Sequence, residues 1–131
     1  MPEPGPSAFS YAIVRVVPSV ERGECFNAGV VLFCRQRDFL GARVALDERR
    51  LAALAPDLAP AAVLPHLEGL VRVAEGDPEA GPVAALPPSE RFGWLVAPSS
   101  TMIQPSPVHG GLSDDPRATL DALFAELVAP A

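Results

Sequence analysis

The amino-acid pattern predicts an α+β chain, with an antiparallel sheet of three to four strands that opens as an N-terminal β-meander and helices packed on one face. Strand-like stretches crowd the first third of the chain, apolar residues recur at helical spacing through much of the rest, and no repeat at solenoid spacing interrupts that order. With 131 residues the chain has the size of one domain. We expect a single α+β domain over residues 9–128, between a disordered Pro-rich tail at 1–8 and a short tail at 129–131.

Ser10 to Val17 alternates, with Tyr11, Ile13, Arg15 and Val17 on one face and Ala12, Val14 and Val16 on the other, and Pro18 ends it. Cys25 to Cys34 is apolar on both faces, the mark of a central strand. After the polar turn Arg35 to Asp38, Phe39 to Leu46 directs Leu40, Ala42, Val44 and Leu46 inward and Arg43 outward. Asp47 is placed to cap a short helix through Leu54. Val63, Leu67, Leu70, Val71 and Ala74 form a helical stripe stopped by Gly76, and Pro65, which lacks a donor, puts its regular start near residue 64. Pro82 to Leu86 reads as a short extended piece, and Ser89 as the cap of a helix holding Phe92, Leu95 and Val96, which is preferred to a strand with Phe92, Trp94 and Val96 on one face. Thr101 to Gln104 suits a fourth strand at the sheet edge, because Pro105 and Pro107 cannot donate to a ladder. Asp115 as cap and Pro116 in the first turn open the last helix, whose stripe is Leu120, Leu123, Phe124, Leu127 and Val128.

A net charge of -6 with no lysine argues against nucleic acid and anionic membranes as partners, since both are held by clustered cations. No apolar run approaches the roughly 18 residues of a membrane span. Met1 to Ser7 has neither a basic nor an apolar signal region, so a cytoplasmic location is expected. Cys25 and Cys34, on one strand roughly 30 Å apart, are expected to be free thiols. Two Cys and two His without C-x-x-C or H-x-x-x-H spacing offer no metal site, and no glycine-rich phosphate loop is present, so neither metal nor cofactor is expected.

Two segments concentrate polar chemistry. By parity Asn27 shares a face with Cys25, Gly29, Val31 and Phe33, so an amide enters a row that otherwise wants burial. Either it ties the 18–24 loop to neighbouring backbone, or with Glu24 it lines a ligand or partner site. The second segment, 98–112, carries hydroxyls at Ser99, Ser100, Thr101 and Ser106, an amide at Gln104 and an imidazole at His109, on a connection long enough to suggest function. Ser106 and His109, with Asp114 or Asp115 nearby, resemble a nucleophile and base, but no nucleophile elbow accompanies them. The binding candidates are therefore Glu24, Asn27, Ser100, Thr101, Gln104, Ser106 and His109, with no catalytic residue assigned.

Taken together, YxIVRxVP (Tyr11 to Pro18), ERGExxNxGVVLF (Glu21 to Phe33), ERFxWLxAP (Glu90 to Pro98), STxxQPSPVH (Ser100 to His109) and GLxDDP (Gly111 to Pro116) resemble a bacterial family of the domain-of-unknown-function series, number three thousand and thirty-seven. The resemblance runs from about Ala8 to Val128. It implies a partner rather than an activity, because such proteins are often encoded beside a HipA-like kinase, and it carries over no catalytic residue. The chain departs from the pattern at Ser99, where a basic residue is expected, and at Gly110, where a hydroxyl is expected. The expectation is a non-enzymatic accessory or regulatory module that binds a HipA-like kinase through the 98–112 loop and the edge strand leading into it. The alternative is a small-molecule or nucleotide-binding protein, or a small hydrolase, using that same loop.

Overall fold

A computed structural model of the chain describes residues 5–99 and 101–128. The elements are β1 (Ser7–Val16), β2 (Phe26–Cys34), β3 (Phe39–Val44), α1 (Glu48–Leu54), α2 (Pro60–Glu75), α3 (Pro88–Leu95), β4 (Ile103–Pro105), β5 (His109–Ser113) and α4 (Pro116–Leu127). All pairings are antiparallel, in the order β3-β2-β1, and both β4 and β5 lie along the remaining side of β1. This is the expected α+β class, with five strands among the described residues where the apolar pattern predicts three to four.

The helices do not share one face. Val31 packs with Val73, Ala74, Phe92 and Leu95 of α2 and α3, whereas its neighbours Val30 and Leu32 pack with Leu120, Phe124 and Val128 at α4. Adjacent strand residues point to opposite sides, so α1 to α3 cover one face and α4 the other. That is why β2 is apolar on both faces. Arg43, expected to face outward, lies on the α4 side, with its guanidinium 4.2 Å from the Phe124 ring centre and 3.1 Å from Asp121.

Local signals account for most boundaries. Asp47 accepts hydrogen bonds from the Arg49 and Arg50 amides, and Asp115 accepts one from Ala118. Gly76 closes α2 in the left-handed region at φ 74°, its N–H reaching the carbonyls of Arg72 and Val73. α2 begins at Pro60, earlier than Pro65 suggests, and carries Pro65 on an exposed side. Residues 78–80 and 82–85 coil into 3-10 turns in place of the extended piece expected there. From α3, Arg91 donates to the carbonyls of Leu86 and Ala74, at 2.8 and 3.3 Å, and so fastens α3 to the C-terminal end of α2. Cys25 is exposed, Cys34 is fully buried, and both are free thiols.

Two irregularities interrupt the sheet at the same level of β1. Between Val14 and Arg15 the register with β2 slips by one, leaving Ala28 as the extra residue between the Gly29 and Asn27 pairs. On the other side, Ala12 and Ile13 face three residues, Ser106, Pro107 and Val108, between the β4 and β5 pairings. Prolines 105 and 107 have no N–H, so ordinary pairing fails there. Ser106 restores it twice over: its amide donates to the Ile13 carbonyl and its Oγ accepts the Ile13 amide, both at 2.8 Å. The serine is buried at 3% exposure. Ser106→Ala removes the acceptor and strands the Ile13 N–H, which should cost about 1 to 3 kcal/mol in denaturant unfolding; an unchanged midpoint would show that the hydroxyl does not close the ladder.

Candidate functional site

The polar residues singled out by sequence divide into separate groups. Glu24 is exposed and held by Arg22, whose Nε donates to it at 2.6 Å; that bond raises the pKa of the guanidinium. Asn27 does not share a face with Gly29, Val31 and Phe33 as parity predicts, because the Ala28 bulge reverses the alternation. It lies on the α4 side, where its Nδ2 donates to the Leu127 carbonyl at 3.0 Å. The amide therefore satisfies one of the open carbonyls at the end of α4, which is a structural duty. Ser100 lies outside the described residues.

In the 98–105 segment the polar groups bind one another. The Thr101 amide donates to Ser99 Oγ at 3.2 Å, Thr101 Oγ1 donates to the Ile103 carbonyl at 2.9 Å, and Gln104 Nε2 donates to the Thr101 carbonyl at 2.8 Å. These bonds curl the loop so that Met102 and Ile103 face the sheet interior beside Val14 and Val16. Gln104 pairs across the sheet with Arg15, which in turn pairs with Asn27, so these two candidates share one cross-strand row. Ser106 Oγ is engaged by the Ile13 amide and by the Pro107 carbonyl. His109 is exposed, with its ring 5.4 Å from that of Tyr11, and it is not among the hydrogen-bond partners of Ser106. A nucleophile needs a base in contact with its hydroxyl, so this pair lacks the geometry of the hydrolase alternative.

The same loop walls a cleft of about 710 Å³ between α2, the end of α3 and β4, within the range of small-molecule sites. Its depth is apolar, with Val14, Leu70, Val73, Leu95, Met102 and Ile103, and its mouth carries His66, Arg72, Glu79, Trp94 and Thr101. Sequence reasoning missed His66, Arg72 and Trp94, because each has an ordinary place on its own helix and only the packing of α2 against α3 and β4 assembles them. Gly69 was the available signal. It sits inside an amphipathic helix without positive φ, and a Cβ there would meet nothing within 4 Å, so neither backbone nor packing requires glycine. What its missing side chain preserves is open space in the cleft wall.

Two stability measurements check these assignments. Asn27→Asp replaces a donor by a carboxylate facing the carbonyl end of α4 and should destabilise the fold by about 1 to 3 kcal/mol. Gly69→Ala should instead stabilise it by about 0.5 to 1 kcal/mol, the helix-propensity difference with no clash to offset it. A destabilising Gly69→Ala would mean that the helix needs glycine for its own packing.

A family model described as "Protein of unknown function (DUF3037)" matches residues 11–128, from within β1 to the residue that follows α4. No curated protein and no solved structure matches the chain. The matched span takes in β2 to β5, all four helices and the cleft between them, and on that match the chain belongs to the DUF3037 family.

Proposed function

We propose that this protein is a non-enzymatic, cytoplasmic binding module whose partner is a HipA-like kinase, and that the partner adds a strand to the β5 edge. The supporting observation is an asymmetry along the outer side of the sheet. Sheet edges are ready templates for another chain, and proteins blunt them with proline, bulges and charge. The β4 half carries Pro105, Pro107 and the Ser106 bulge. The β5 half, His109–Ser113, has no proline and no acidic or basic charge apart from the imidazole, and Leu112 is 69% exposed on it. Val108, at 47% exposure, extends the apolar surface toward the bulge. An antiparallel edge strand turns alternate N–H and C=O groups away from its partner, so β5 offers backbone pairing together with an apolar anchor. The other edge, β3, is flanked by α2 on one face and α4 on the other. The identity of the partner rests on the resemblance given above, which implies a HipA-like kinase encoded nearby.

Co-expression with the kinase should yield a co-purifying complex, and Leu112→Glu should weaken it roughly tenfold while leaving the unfolding midpoint unchanged. A kinase that is soluble alone and never co-purifies would overturn the partner. A complex indifferent to Leu112→Glu would overturn the edge.

A further inference from the structure

We propose that the cleft between α2, α3 and β4 is a binding site for a small monocarboxylate with an aromatic or apolar body. The site is separate from the β5 edge, since no residue of β5 lines it, and it stands or falls independently of the kinase. Three features identify the ligand class. The floor of Val14, Leu70, Val73, Leu95, Met102 and Ile103 carries no charged group, which calls for an apolar body. Trp94 stands at the mouth 51% exposed, although an indole normally buries most of its large area, and it offers a face for a planar group. Arg72 is the third feature. It lines the same mouth, and among the described residues it has neither an ion pair nor a side-chain hydrogen bond, whereas Arg22, Arg43 and Arg50 are each paired with a carboxylate. A free guanidinium over an apolar well is complementary to one carboxylate, which it can hold through two parallel hydrogen bonds.

Charge also limits the ligand. Glu79 shares the mouth with Arg72, and the chain as a whole carries -6, so a polyphosphate would bring surplus negative charge beside a carboxylate with one arginine to balance it. This disfavours the nucleotide class and leaves a single negative charge. Gly69 fits the same picture, because it gives up helix stability at a position where a side chain would enter the cleft.

Trp94 is the only tryptophan of the chain, so its fluorescence reads the cleft directly. The intact protein is titrated with 4-phenylbutyrate, with the neutral 4-phenylbutanol and with ATP. The expected result is a saturable change in Trp94 emission with phenylbutyrate, at least tenfold weaker binding of phenylbutanol and ATP, a similar tenfold loss in Arg72→Gln, and no saturable change in Gly69→Phe, which fills the cleft. Circular dichroism establishes that both variants are folded; if Gly69→Phe does not fold, Arg72→Gln, altered only at an exposed side chain, decides the matter. No saturable response to phenylbutyrate up to 10 mM, on the order of the weakest specific affinities, overturns the site. Equal binding of the alcohol and the acid, or an unaltered affinity in Arg72→Gln, overturns the role of the carboxylate. Tighter binding of ATP overturns the ligand class.

Discussion

Every N–H of a strand inside a sheet has to be paired, and at Ile13 a side-chain hydroxyl serves as the acceptor. That constraint organises the outer half of the molecule. Pro105 and Pro107 prevent the last segment of the sheet from running as one regular strand, and Ser106 between them joins two short strands that pair with β1 in registers differing by one. β4 is held where Met102 and Ile103 close the cleft, and β5 where Phe9 lies against Gly111 and Tyr11 against His109. On the other side of β1, at nearly the same level, the Ala28 bulge turns Asn27 toward the end of α4. One short stretch of β1 therefore sets the position of the cleft, the free edge and the last helix.

Elements that carry their own signal were legible from sequence. β1, β2, the Asp47 cap and α4 each show a dense period or a capping side chain, and each is found with small shifts at its ends. β5 was not legible. His109-Gly110-Gly111 has little strand propensity, and the strand forms because β1 has an open side and the Phe9 ring covers Gly111, where a Cβ would come within 2.7 Å of it. Asn27 shows a different failure. Parity counts residues and cannot see a bulge, so one extra residue at Ala28 put the amide on the wrong face. The polar density of 98–112 is visible in the sequence, but the hydrogen bonds of Ser99, Thr101, Gln104 and Ser106 go into shaping the loop. The cleft they help to build depends on residues brought together from α2 and α3, and no local pattern announces such an assembly.

The two surfaces proposed for binding lie along two halves of one interrupted strand. The β4 half carries the prolines and lines a cleft sized for a small molecule; the β5 half has no proline and exposes Leu112. Between them lies the buried Ser106, whose contacts reach β1 and not solvent. Proline abundance, which composition alone would assign to loops, is used here to give adjacent stretches of one edge different accessibilities.

The two thiols divide in the same spatial way. Cys25 is open to solvent just ahead of β2, while Cys34 ends that strand with no exposed surface, its Sγ 3.5 Å from the Ala8 carbonyl at the start of β1. An alkylating reagent added to the native protein thus marks Cys25 at once and reaches Cys34 only when the first residues of β1 and the end of β2 come apart. The chain carries its own clock for the opening of that corner of the sheet, with the fast thiol as an internal standard for the slow one.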